Sequence, residues 1–537
     1  MRVRPAKFLI FFLILIFPSL SFADSYLEKK IFFIDKNYDF LKREKVLATN
    51  LLVSPNAYFY LEDDFWGKLS QIEKEKLYQS LKNLAQEFDS KIYSRLTFLF
   101  GKEMERGPNG DPKITILFHK MKEDAAGYVR ENDFFEKSIS PNSNERKMIY
   151  LNADLIGQEI LTSDLAHEFC HLISFNQKSL ILKVEEERWV LEMFSEICPT
   201  VLGYSQSLKQ RIEIFKKYPK DALLEWQDSI QDYASLSIFA HYLLDQFGSE
   251  FYKKILSQKE TGYLTIEKAT QKKFEQIFKN FLLALYLGDC NFGKEYCFSN
   301  ENLKNFKILP EFHFLPKTGE TVFTVFRKIK DFSGDWQKIY GGKGNLKLDF
   351  KGEENSIFDI TLLLCDKSEK CQIKDFALEN GKKGSISIPT FSENYSSFAL
   401  ISFSKTSFEF FERESAPERN FSIKISFTQA TTSETAPPLP PAKPKISCQS
   451  LTQNLRYGMS GDQVKCLQEF LKLQGSEIYP EGLVTGYFGP LTFAAVKRFQ
   501  QKYWQEILAP WGLTKDQPTG FVGPTTRAKI NKLLAQI

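Results

Sequence analysis

Two of the chain's five histidines stand four residues apart in "AHEFCHLIS", Ala166 to Ser174. On a helix, positions i and i+4 lie one turn apart on one face. His167 and His171 can therefore aim two imidazoles at one ion, and neutral imidazole is a good ligand for Zn2+. Glu168 projects about 100° round the helix from His167. From there its carboxylate reaches a water activated by the metal rather than the metal itself, which suits a general base attacking a carbonyl through that water. A catalytic zinc usually has three protein ligands and one open position. The third must come from elsewhere, and "EEERWVLEMFSEICP", Glu185 to Pro199, supplies several carboxylates. Glu192 and Glu196 fall one turn apart on a second helix. The favoured arrangement puts Glu192 on the zinc and Glu196 behind it, hydrogen-bonded to a ligand histidine. The bland alternative is a decayed or structural site on a helix face.

These residues need elements to position them. Leu165, Phe169, Leu172 and Ile173 fit a helix packed on a core, with Thr162 or Ser163 as its starting cap. Upstream, "KITILFH" (Lys113 to His119) and "KMIYLN" (Lys147 to Asn152) predict strands. From Ser163 onward helical patterns dominate, and Gly248 and Gly288 mark helix ends. Charge develops on an attacked carbonyl, so a stabilising donor is expected; Tyr233 and, behind it, His241 are the candidates, although both lie in an amphipathic helical stretch where core or surface roles are common.

The quoted segments resemble the hyicolysin-type zinc metallopeptidases, whose pattern is "HEFQHLIN…WLNEGLSE" and which belong to the thermolysin-like group with a glutamate third ligand. "AAGYVRENDFF" (Ala125 to Phe135) and "NSNERKMIYLN" (Asn142 to Asn152) are similar to the segments preceding that family's active helix, and "YASLSIFAHYLLDQFG" (Tyr233 to Gly248) to the helix after it. The resemblance runs over about residues 50 to 300. It implies an α+β zincin-like metallopeptidase domain with His167, His171 and Glu192 on zinc and Glu168 as base. Where the family has Asn-Glu-Gly, this chain has Leu191-Glu192-Met193. The ligand is kept and its neighbours are bulkier, which bears on cleft shape and substrate range. Cys170 points off the histidine face. A Cys170–Cys198 bridge would tie the two ligand-bearing helices together; two buried thiols are the other reading.

The rest of the chain bounds this reading. Its 537 residues suggest several domains. Residues 1–23 read as a signal peptide: Arg2, Arg4 and Lys7, then the apolar run Phe8 to Phe17, then Ser21-Phe22-Ala23 as a cleavage site. No later stretch is apolar enough to span a membrane. The signal holds three of the 71 Lys+Arg and no Asp or Glu, leaving 68 against 67, a net +1. That balance gives no electrostatic reason to propose nucleic acid as a partner. Eight cysteines in an exported chain invite disulfides, paired locally as 170–198, 290–297, 365–371 and 448–466.

A metallopeptidase domain over 24–316 is followed at 317–430 by alternating runs such as "NLKLDF" and "FSIKISF", which predict a β-sandwich. Residues 431–447 form a Pro-rich linker, with "TTSETAPPLPPAKPK" at its start. Residues 448–537 hold a repeat: "TGYFGPLTFAAVKRFQ" from Thr485 returns as "TGFVGPTTRAKINKLL" from Thr519. Ser460, Thr492 and Thr526 are plausible helix caps there. With "LRYGMSGDQVKCLQEFLKLQG" these pieces resemble small helical peptidoglycan-binding domains, which implies a bacterial, extracytoplasmic protein, secreted or cell-wall associated, that docks on peptidoglycan. Tyr487, Phe488 and Trp504 read as core of that module rather than ligand contacts. The expected activity is hydrolysis of protein or peptide substrates by a zinc metalloendopeptidase. Two rivals stand beside it: a hydrolase of peptidoglycan cross-links, and a non-enzymatic wall-bound scaffold with a vestigial fold.

Overall fold

A computed structural model describes residues 23–317, 320–428 and 450–536, the last stretch without 476 and 481. Residues 1–22 of the signal segment, the Pro-rich linker from 431 to 447 and Cys448, hence the Cys448–Cys466 pairing, lie outside the described residues. By packing, the chain divides into two units. One gathers the chain up to Ile308 with two later strips, Lys330–Gly334 and Ser407–Glu418; the other holds Leu309–Ile329, Asp335–Thr406 and the chain from Arg419 on. Both strips fall inside 317–430. They join the first unit because Phe332 and Phe408 insert beside Phe274 and Tyr263, with Phe332 5.1 Å from Phe274 and Phe408 4.6 Å from Tyr263. Lys330 Nζ also donates to Glu225 at 2.7 Å.

The first unit is built on a six-stranded sheet, in spatial order β1 (Lys29–Phe33), β2 (Lys45–Val53), β3 (Ala57–Glu62), β4 (Ile114–His119), β6 (Met148–Asn152) and β5 (Gly127–Tyr128). β3, β4 and β6 run parallel as neighbours and are buried along their whole length, as unbroken apolar runs covered on both faces require. The short edge strand β5 pairs antiparallel with β6. Helices then follow, among them Ile160–Ser174, which carries both motif histidines, and Arg188–Val201, which carries Glu192. The histidine helix begins before either expected cap. Ile160 starts it, no side chain caps it, and Thr162 and Ser163 lie within its first turns because Leu161 already faces the core. Gly248 and Gly288 end their helices with φ of 74° and 51°. Cys170 and Cys198 are bridged, with Cα atoms 6.6 Å apart, and so are 290–297 and 365–371.

In the second unit, a five-stranded and a four-stranded sheet enclose one apolar core, built from residues such as Leu346, Leu348, Phe398, Ile423 and Ile425. Strand Glu311–Leu315 already belongs to it, pairing parallel with Asp335–Gly341. A helical module follows, with helices Asp462–Leu473, Pro490–Lys502 and Pro524–Leu534. Here the expected caps fail: Gly461, Gly489 and Gly523 precede these helices, and Pro occupies the first turn of the last two. Thr492 and Thr526 are buried instead and accept from the amides of Gln468 (2.9 Å) and Gln500 (3.1 Å). The same two glutamines accept from Gly486 and Gly520 backbone N–H groups at 2.8 and 2.9 Å. Each copy of the repeat is thus one glutamine clipping one Thr-Gly turn to the next helix. Phe488 is fully buried, as expected, but Tyr487 is 46% exposed. Among the described residues, no helix is long and apolar enough to cross a membrane.

Candidate metal centre

The histidine helix and the glutamate helix pack side by side, and the Cys170–Cys198 bridge fixes them behind the facing side chains. The periodicity that buries Phe169, Leu172, Phe194 and Ile197 leaves His167, His171 and Glu192 pointing at one another. His167 Nε2 and His171 Nε2 stand 3.2 Å apart, and Glu192 Oε2 lies 3.4 Å from the first and 3.5 Å from the second. Ligands about 2.0–2.1 Å from a tetrahedral centre stand about 3.3 Å from one another. The three atoms therefore already form one face of a zinc-sized tetrahedron. Glu192 Oε2 is buried and takes no hydrogen bond among the described residues, which fits an atom reserved for a cation. Two neutral imidazoles and a carboxylate are also the donor set that zinc favours.

Electrostatics point the same way. Burial pushes the Glu192 carboxyl up, but His171 and His167 more than offset it and hold it well below the usual carboxylate range. For His167, burial pulls the imidazole down, and Glu192 and Glu196 outweigh it. Glu168, only 7% exposed, is pushed up to about 8, first by burial and then by Glu192 and Asp164, against the pull of His171. A carboxyl poised near neutral pH is suited to taking and returning a proton. Gly127 on β5 makes room for it: a Cβ there would stand 3.0 Å from Glu168 Cγ and 2.9 Å from Tyr150 O.

Support for the histidines comes partly from residues the sequence did not single out. Glu196 Oε1 faces His167 Nδ1 at 3.7 Å, an ion-pair distance longer than the expected hydrogen bond. Arg211 fixes that carboxylate, with Nη2 2.9 Å and Nε 3.2 Å from Oε1. Ser195 Oγ lies 3.3 Å from His171 Nδ1. Ser195 carried a faint signal, since it is adjacent to Glu196 and three residues after Glu192; Arg211 carried none.

The three facing atoms and Glu168 open into a cleft of about 590 Å³, lined also by Tyr38, Phe134, Phe175, Arg188 and Tyr233. Tyr233 reaches it with a hydroxyl that donates to Asp228 Oδ1 at 3.4 Å, and its ring lies under the Arg211 guanidinium. His241 does not line it. That ring is 1% exposed, donates from Nδ1 to Ser237 O at 2.7 Å and accepts from Thr200 Oγ1 at Nε2, 2.8 Å away. Both nitrogens are used inside the helical core, so His241 is removed as a donor to substrate.

Comparisons with known proteins bear on the reaction class and on the C-terminal segment. Over 236 residues, 38% of its length, the chain is 26% identical to the neutral metalloprotease ShpI of Staphylococcus hyicus, covering 52% of that protein. Over 72 residues, 13% of its length, it is 43% identical to half of an uncharacterized protein in the bpoA1 3' region of Kitasatospora aureofaciens. The chain thus spans about half the length of the curated relatives it matches. Among solved structures, a functionally unknown Bacillus anthracis protein aligns over 63% of this chain and 71% of its own at 12% identity and a TM-score of 0.23. The pre-peptidase C-terminal domain of a B. anthracis collagenase aligns over 22% of this chain and 96% of its own, at 10% identity and a TM-score of 0.15. Neither likeness is close enough to carry an argument. Residues 460–503 match the family model described as a putative peptidoglycan binding domain. The chain is a multidomain protein similar in part to a neutral metalloprotease, with a His/His/Glu cluster that could hold a metal ion and a C-terminal helical segment of the peptidoglycan-binding type.

Proposed function

We propose that this protein is an exported bacterial zinc-dependent endopeptidase, held at the cell wall by its C-terminal module. The observation that carries the reading is the triangle of His167 Nε2, His171 Nε2 and Glu192 Oε2, with edges of 3.2, 3.4 and 3.5 Å, beside the buried carboxyl of Glu168. Zinc held by those three atoms supplies a Lewis acid that acidifies water and polarises a carbonyl. Glu168 takes the proton from water as it attacks the scissile carbonyl, and returns it to the departing amine. Glu196 and Ser195 face the outer nitrogens of His167 and His171 and hold the two rings in their working orientation. The cleft walls bind the peptide and exclude bulk water. Similarity to a neutral metalloprotease supports the reaction class, and the match at 460–503 supports residence outside the cytoplasm on peptidoglycan.

That same match favours one rival, a hydrolase of peptidoglycan cross-links. Casein and purified sacculi, each offered to wild type and to Glu168→Gln, separate the two. The endopeptidase reading expects wild type to cleave casein and leave sacculi intact, with Glu168→Gln slower by about 10³-fold. Release of muropeptides with casein untouched contradicts it in favour of the rival. Equal behaviour of wild type and Glu168→Gln contradicts any enzymatic reading.

A further inference from the structure

Three tyrosine rings stack in a row from the buried Tyr150 through Tyr128 to Tyr38, and the last two line the cleft. Tyr150 of β6 lies 4.4 Å from Tyr128 of β5 at an interplanar angle of 6°, and Tyr128 lies 4.6 Å from Tyr38 at 14°. Two of the three hydroxyls are committed. Tyr150 donates to Asp133 and Tyr128 pairs with His119 Nε2 at 3.1 Å, both among buried groups. The third, that of Tyr38, makes no hydrogen bond among the described residues, and Tyr38 lines the cleft together with Glu168 and His171.

The loop that carries Tyr38 is rigidly held. Tyr38 N donates to Asp35 O at 3.1 Å, and Tyr38 O accepts from Lys122 N at 2.9 Å. Next to it, the fully buried Asp39 accepts from Leu41 N and Arg43 N, both at 2.9 Å, pairs with the Arg43 guanidinium at 2.8 Å, and faces His119 Nδ1 at 3.4 Å. A side chain clamped by stacking, on a loop pinned by a buried carboxylate, with its one polar atom left free in a catalytic cleft, is a preorganised donor.

Other donors in the cleft are less available. Arg188 is ringed by carboxylates, with Glu192 at 3.7 Å, Glu412 at 3.8 Å and Asp228 at 4.0 Å. Tyr233 already donates to Asp228. We infer that Tyr38 is a catalytic residue whose hydroxyl donates a hydrogen bond to the scissile carbonyl oxygen as that oxygen becomes an oxyanion. Burial, reinforced by Asp228, pushes the Tyr38 phenol up to about 12, so it keeps its proton throughout the neutral range. This role rests on the endopeptidase reading. It also requires that Tyr38 be retained in the active enzyme.

The test compares wild type, Tyr38→Phe and Tyr233→Phe of the full exported chain on a fluorogenic peptide and on a phosphinic peptide that mimics the tetrahedral intermediate. Phenylalanine keeps the ring stack, so zinc content and melting temperature stay at wild-type values. Tyr38→Phe lowers kcat by about 10²–10³-fold with KM little changed, and weakens the phosphinic peptide by the same factor. Tyr233→Phe loses less. A Tyr38→Phe enzyme with wild-type kcat, a loss confined to KM, or the larger loss in Tyr233→Phe overturns the assignment. So does active enzyme whose N-terminus, sequenced directly, begins beyond Tyr38. A wild type that cleaves no peptide instead overturns the endopeptidase reading beneath it.

Discussion

Replacing Glu196 with glutamine keeps the shape of the side chain but removes the charge facing His167 Nδ1 at 3.7 Å. Burial pushes that carboxyl up, and Arg211 and His167 outweigh it, so the wild-type group is held ionised. Outer carboxylates of this kind orient a ligand imidazole, and losing one typically costs about 10–100-fold in metal affinity. Glu196→Gln is therefore expected to fold normally and to bind zinc about 10–100-fold more weakly in competition with a chelator. Undiminished affinity would show that Glu196 serves Arg211 alone. The pairing of His167 with His171, and the offset of Glu168 beside them, can be read from helical spacing alone. Glu192 stands on a second helix, and the favoured arrangement and the family resemblance single it out from several carboxylates there. Arg211 and Tyr38 were not legible, since only tertiary packing brings residue 211 to residue 196, or the loop after β1 to β5. His241 misled for a related reason: its helix resembles one that borders the cleft, but the face it occupies points into the core, where Thr200 and Ser237 already satisfy the ring.

At the scale of elements, the site depends on two helices keeping their relative rotation, and Cys170–Cys198 is the covalent tie between them. The bridge closes a sequence separation of 28 residues, for which loss of chain entropy in the unfolded state predicts about 3–4 kcal/mol of stabilisation. A Cys170→Ser/Cys198→Ser double variant should lose about that much in urea unfolding. It should also bind zinc more weakly, because the ligand triangle then rests on packing alone. An unchanged unfolding midpoint would mean that the packing of Phe194 and its neighbours fixes the helices without the bridge. Alternation and apolar runs revealed strands β4 and β6 and the sandwich strands correctly, since each depends on local burial. Helix starts were less legible. Thr492 and Thr526 have the chemistry of caps, yet the glycines before Pro490 and Pro524 end the preceding turn, and buried glutamines claim the threonine hydroxyls. A hydroxyl's partner in three dimensions is invisible to a pattern along the chain.

At the scale of the whole molecule, sequence order and packing order differ. Lys330–Gly334 and Ser407–Glu418 interrupt the sandwich in sequence but pack with the first unit, through Phe332, Phe408 and the carboxylate of Glu225, which accepts from Lys330 Nζ and, at 2.9 Å, from Ala416 N. Composition cannot reveal this, because short aromatic strips look the same whichever core they fill. The first unit needs these later strips to complete its wall, so a peptidase fragment ending near residue 316 would lack part of it. The reading of the full chain as a wall-held peptidase still turns on whether one ion sits among three side chains. Metal analysis of purified wild type and Glu192→Ala by mass spectrometry tests this most directly. The account predicts one zinc per wild-type chain and a severalfold or greater loss of bound zinc in Glu192→Ala after dialysis against a weak chelator. No zinc in the wild type, or full retention in Glu192→Ala, would contradict it.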